Sequence, residues 1–149
     1  MGQDDRGTPG LTRLGEVGAS IRHCPSREEA MQQICLVMAA RSGRGEDARA
    51  FMRELEESRK DDYARSEERI GITKEVWYLA PLPAGELLVA YMETEDFGRA
   101  LGLLSQSRDD FDMWFKRRLA DVTGVDLNDP PEMTLPELLS SYSRVPAPA

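Results

Sequence analysis

The chain has 149 residues, 40% of them hydrophobic and 31% charged, and a formal net charge of -8. That length suits one folded domain with tails, and the acidic balance speaks against a nucleic-acid partner, whose phosphates demand a basic surface. It equally disfavours anionic membranes, and no apolar run approaches the roughly 20 residues that a bilayer crossing takes. The polar start Met1-Gly2-Gln3-Asp4-Asp5-Arg6-Gly7 has no apolar stretch of the kind a secretory signal needs. A cytoplasmic location is the expectation.

Residues 1–30 mix glycines, prolines and scattered charges without a sustained period, and are expected to form a poorly ordered extension. Within it Ser26 and Glu29 have capping-box spacing, which allows a short helical turn at Ser26–Ala30. The folded domain is expected over 31–142, with 143–149 as a disordered tail. Its first element is the apolar run Ile34-Cys35-Leu36-Val37-Met38-Ala39-Ala40, of strand length and closed by Ser42-Gly43-Arg44-Gly45. Cys35 lies inside this run as a small hydrophobe, and neither it nor Cys24 is expected to form a disulfide.

A single long helix is predicted from about Glu46 to Arg69, with acidic residues at its start and Gly71 as its stop. Two further apolar runs, Ile72–Ala80 and Glu86–Glu93, flank the breaker Pro81-Leu82-Pro83-Ala84-Gly85 and read as a β-hairpin. Helical stripes follow at Phe97, Leu101 and Leu104, then at Phe111, Trp114, Phe115, Leu119 and Val122. Asp109 or Asp110 suits the cap of the second stripe, and Gly124 its end. The proline-rich remainder is ambiguous. Thr134-Leu135-Pro136-Glu137 has a capping-box pattern, whereas Leu138–Tyr142 also suits a short edge strand. The order β-α-β-β-α, with a possible last β, is the split-βαβ or ferredoxin-like α+β arrangement: an antiparallel sheet with helices on one face.

Both alternating sets of the strand residues are apolar. Ile34, Leu36 and Met38 oppose Cys35, Val37 and Ala39, and Leu87, Val89 and Tyr91 oppose Leu88, Ala90 and Met92. A sheet wetted on one side alternates apolar with polar, and these strands do not. Helices on one face leave the other bare, and patches of that size mark interfaces. The expectation is a homodimer formed through the open face of the sheet. The alternative is that the extension 1–30 folds across that face.

The hairpin segments Glu75–Leu79 and Leu87–Glu93, with Glu95-Asp96 and Asp112-Met113-Trp114-Phe115-Lys116, resemble an uncharacterised bacterial family of ferredoxin-like dimeric α/β barrels. The resemblance covers about residues 31–142 and rests on fold-level motifs. It implies that Pro136–Tyr142 closes the sheet as a strand. Similar barrels host monooxygenases, isomerases, haem enzymes and plain ligand-binding domains, so the fold does not choose among them.

His23 is the only histidine, which excludes histidine bases, histidine metal ligands and a proximal haem histidine from 31–149. No metal or cofactor is expected. Ser42-Gly43-Arg44-Gly45 fits neither nucleotide-binding glycine pattern and reads as a turn. The remaining candidates for a ligand site are Arg59 and Tyr63 at the rim of a cleft, Trp77, Tyr78 and Tyr91 in the strands, and Asp112 in the first turn of the last helix. Lys116-Arg117-Arg118 reads as solvated surface. The expected function is binding of a small, largely apolar molecule between sheet and helices. The alternatives are a cofactor-independent monooxygenase- or isomerase-like enzyme and a purely structural dimerisation module. A cavity of about 300 Å³ or more with convergent polar groups favours binding, and a packed interior favours the module.

Overall fold

The computed structural model describes residues 31–144. The expectations for 1–30, including the turn at Ser26–Ala30, the pair His23-Cys24 and the fold-back across the sheet, lie outside the described residues, as do 145–149. The elements are β1 (Gln32–Ala39), α1 (Gly45–Glu56), α2 (Lys60–Ile70), β2 (Ile72–Leu82), β3 (Gly85–Thr94), α3 (Phe97–Gln106) and α4 (Asp110–Thr123). The strands form one sheet in the order β1-β3-β2, with both pairings antiparallel. β1 and β2 therefore run in the same direction, with β3 between them and the α1–α2 segment as the crossover. This is an α+β fold with a three-stranded antiparallel sheet and four helices.

The hairpin follows its turn chemistry. Leu82 pairs with Gly85, leaving Pro83 and Ala84 as the loop, and Gly85 takes φ 140°, a conformation open chiefly to glycine. Pro81 lies within β2, where its missing N–H is tolerated because β2 is an edge strand. Helix ends are signalled as expected at Asp109, Gly71 and Gly124, and the cap at Asp96 is an addition. Asp109 accepts from Phe111 N at 3.0 Å, Asp96 accepts from Arg99 N at 3.0 Å, and Gly71 and Gly124 close their helices at φ 90° and 79°.

Two expectations are corrected. The predicted helix 46–69 is two helices, broken at Glu57–Arg59, where Glu57 departs from helical geometry (φ -114°, ψ -90°) and Arg59 N reaches back five residues to Glu54 O at 2.8 Å. The break redirects the chain, so α2 does not overhang into water; it packs on β2, α3 and α4 and buries Ser66 and Ile70. The fourth strand is also absent: residues 124–144 form neither strand nor helix. Pro130, Pro131 and Pro136 remove ladder donors from this stretch, and no described backbone hydrogen bond ties residues 130–144 to the sheet.

The core lies between the sheet and the helices. Met38 and Leu88 meet Phe51, Leu55, Phe111, Phe115 and Leu119, and Trp77 and Leu79 pack against this cluster. Phe51 stacks edge-on to Trp114 at 5.6 Å and tilted to Phe115 at 5.4 Å. A smaller cluster of Ile70, Ile72, Ala90, Met92 and Ala100 continues toward the other end of the sheet. No helix among the described residues is long and apolar enough to cross a membrane.

Because Phe51 is completely buried at the junction of α1, α4 and the sheet, Phe51→Ala is expected to lower stability by about 3–5 kcal/mol. Urea unfolding followed by tryptophan fluorescence checks this: the midpoint should fall while the slope stays unchanged.

Candidate functional site

The two faces of the sheet separate the strand candidates. Trp77 shares the helix-facing side of β2 with Glu75 and Leu79, whereas Tyr78 and Tyr91 point to the open side. The register aligns the open-face residues in three apolar cross-strand rows: Ala39–Leu87–Ala80, Val37–Val89–Tyr78 and Cys35–Tyr91–Val76. Val37 is 48% and Tyr78 is 60% exposed, so the middle row is substantially uncovered. At one end the Tyr91 hydroxyl donates to Glu93 at 2.9 Å, and the Lys74 ammonium lies 6.0 Å from the Tyr91 ring.

On the helix side, Tyr63 and Trp77 converge on a residue not anticipated from the sequence, Glu75. The Tyr63 hydroxyl donates to Glu75 Oε1 at 2.5 Å, and Trp77 Nε1 donates to the same oxygen at 2.7 Å. Trp77 Nε1 also lies 3.3 Å from the Tyr63 oxygen, so three side chains from α2 and β2 form one closed cluster. Beside them is Glu67, whose Oε2 is buried with no hydrogen-bond partner among the described residues.

These carboxyls stand between two spaces. Inward is an apolar cavity of about 50 Å³ between sheet and helices, walled by residues such as Leu36, Met92, Ala100, Leu104 and Phe115. Outward is a groove of about 270 Å³ between α2 and β2, walled by Lys60, Tyr63, Ala64 and Lys74. Glu67, Ile72 and Glu75 line both. The inner cavity holds little more than a water molecule or two, well below the size expected for an enclosed ligand site. Of these two spaces the groove, not the cavity, approaches the size of a ligand site.

Burial governs the protonation of this pair. It pushes Glu67 up to about 9, with the neighbouring charges of Glu75 and Asp112 adding to the rise. Burial also raises Glu75, against the lowering effect of the hydrogen bonds from Tyr63 and Trp77. Burial and then the two carboxylates drive the Tyr63 phenol far above its ordinary range, so it stays a donor. Glu67 is therefore a neutral carboxyl at pH 7, its buried Oε2 facing no acceptor.

Arg59 and Asp112 belong elsewhere. Arg59 occupies the N-cap position of α2 without a side-chain capping bond, lies 4.5 Å over the Trp114 ring and pairs with Asp62 at 3.4 Å; it lines neither the cavity nor the groove. Asp112 is fully buried and welds the helices. It accepts from Ser66 of α2, from Arg69 at 2.8 Å and from Ser107 at 2.5 Å. Burial by itself would raise this carboxyl, but the bonds from Ser107, Ser66 and Arg69 outweigh it and hold Asp112 below its usual range. One turn further on, Lys116 is fully buried, contrary to the solvated surface expected for Lys116-Arg117-Arg118. Its ammonium donates to the carbonyls of Leu104, Ser105 and Ser107 at 3.0, 3.2 and 2.9 Å, capping the C-terminal end of α3.

Sequence parity contained the signal for Glu75: it is in phase with Trp77 and Leu79, a lone charge on the inward side of an apolar strand. Glu67 likewise falls on the stripe of Tyr63, Ser66 and Ile70. No group of three or more histidine, cysteine or acidic side chains suited to a metal occurs among the described residues. Ser42-Gly43-Arg44-Gly45 forms the turn into α1. Comparison with protein-family models, with curated proteins and with solved structures gave no match.

Glu67 gives stability a definite pH dependence. From its ordinary value of 4.5 up to about 9, folded Glu67 holds a proton that the unfolded chain has lost. Stability should therefore fall as pH rises through that window. Urea titrations across it should show the decline, Glu67→Gln should reduce the slope, and adding Glu75→Gln should reduce it further. Asp112 works in the opposite sense, its contribution being lost only in acid.

Proposed function

We propose that this protein is a homodimer that binds a small, largely apolar molecule bearing one hydrogen-bond-accepting oxygen, in the cleft between α2, β2 and the core. The observation that supports the ligand reading is the buried, unpartnered Glu67 Oε2 where the groove meets the cavity. A buried polar group without a partner costs about 1–3 kcal/mol, and a carbonyl or hydroxyl oxygen arriving through the groove removes that cost. The apolar remainder of such a ligand extends toward Ile72 and the inner cavity. Tyr63 and Trp77 hold Glu75 in place beside it.

The dimer reading is supported by the three open-face rows. They form a self-matching apolar surface, which suits a twofold contact in which the same patch appears on both partners. The purely structural module is the second reading, favoured by the small interior cavity. An isomerase-like enzyme would draw on the same two carboxyls, with Glu67 giving a proton and Glu75 taking one.

Two measurements test the proposal. In a thermal-shift and NMR titration with short aliphatic ketones and alcohols, the wild-type chain should bind at least one series. Glu67→Leu should weaken that binding by about 10-fold or more, in line with one lost hydrogen bond. Arg59→Ala should leave it unchanged, and affinity should drop above about pH 9 as Glu67 loses its proton. Absence of binding across both series, or equal binding by Glu67→Leu, overturns the ligand reading. For the dimer, light scattering should find a dimer for the wild type and a folded monomer for Val37→Asp/Tyr78→Asp, whose exposed positions leave the fold intact.

A further inference from the structure

The stretch that follows α4 stands beside the open face without sealing it. Leu127 is buried in the main core and anchors the segment; beyond it, residues 130–144 run on as an irregular arm. Between arm and sheet is an open groove of about 400 Å³. One wall is Gln33, Cys35 and Tyr91, and the other is Pro136–Ser140. The arm's largest apolar side chains do not fill it: Leu138, Leu139 and Tyr142 are 60%, 85% and 90% exposed. β1 is an edge strand, yet no described backbone hydrogen bond joins the arm to it. An arm serving as the floor of its own sheet would turn those side chains inward. This one leaves them largely exposed, even where Leu138 and Leu139 line the groove.

The size of the open face points the same way. Three strands of about eight residues, about 4.8 Å apart and rising about 3.3 Å per residue, present roughly 400 Å² in projection. A stable interface buries about 800 Å² on each partner. An extended arm of about 15 residues, spanning up to about 50 Å, adds to the accessible surface that the face itself offers.

We infer that in the homodimer the two arms are exchanged, each lying along β1 of the other copy, with Leu138, Leu139 and Tyr142 closed over that copy's open face. The occupant of the groove is thus a second copy of this chain. The inference rests on the dimer reading above and adds the part that the arm plays in it. Exchange places an extended segment beside an unpaired strand edge, the usual route by which a sheet edge is covered.

Two experiments on the full chain separate the inference from the dimer reading. In sedimentation analysis, Leu138→Asp/Leu139→Asp/Tyr142→Asp, altered only at exposed positions, should raise the dimer dissociation constant by about 100-fold or more, as loss of three interface anchors does. A wild-type chain that stays monomeric overturns both the dimer and the exchange. A wild-type dimer with an equally tight triple variant overturns the exchange alone. In the second, Cys24→Ser/Leu138→Cys leaves thiols only at Cys35 and 138. Mild oxidation should then give a covalent dimer on non-reducing gels. An intramolecular loop, or no disulfide in a sample that is dimeric, overturns the exchange and leaves the dimer standing.

Discussion

The rest of the structure depends on a mismatch between a sheet that is apolar on both faces and a set of helices that reaches only one. On the covered face, Met38, Leu88 and Trp77 interlock with the aromatic cluster of Phe51, Phe111, Trp114 and Phe115, and the described domain has its main core there. On the other face, of nine residues in three rows, Cys35 and Tyr91 face the arm across an open groove. Burying a large apolar side chain is worth about 1.5–3 kcal/mol, so a bare row such as Val37–Val89–Tyr78 is a standing drive toward association. The dimer and the exchanged arm proposed above both answer that one imbalance.

Polar groups inside the covered face divide into two kinds. Asp112 and Lys116, one turn apart on α4, are fully buried and well supplied with partners, tying α2, α3 and α4 together. A buried charge is stable only when its hydrogen bonds are made, and here they are. Glu67 is the other kind. Its carboxyl is held neutral by burial, and one oxygen has no partner. Arg118 Nε is the other buried atom without a partner among the described residues, but Arg118 pairs with Glu54 through its terminal nitrogen and lines neither the cavity nor the groove. This contrast, rather than any recognised motif, is what supports the proposed ligand site at α2 and β2.

Much of the fold was legible in the sequence, because it depends on local periods and end signals. The three strands, the hairpin turn at Pro83-Ala84, the cap at Asp109 and the glycine stops at Gly71 and Gly124 all follow from neighbours along the chain. So does the separation of Trp77 from Tyr78 onto opposite faces. The helix break at Glu57–Arg59 was not predicted: no glycine or proline marks it, although the apolar stripe of Ala48, Phe51, Met52 and Leu55 ends just before it. The break answers to what α2 packs against. Of the candidate site residues, Tyr63 and Trp77 come together, but on Glu75 rather than around Arg59. Tyr78 and Tyr91 lie on the open face, and Asp112 is structural.

The sequence by itself determined the α+β class, the two-sided apolar character of the strands and the acidic surface, because each is a property of composition or of spacing along one segment. Only the tertiary structure decided which carboxyls are stripped of water, that Lys116 is buried against three carbonyls, and that the proline-rich end forms no fourth strand. Those outcomes depend on distances between residues far apart in the chain, and desolvation is set by what surrounds a group rather than by its place in the sequence.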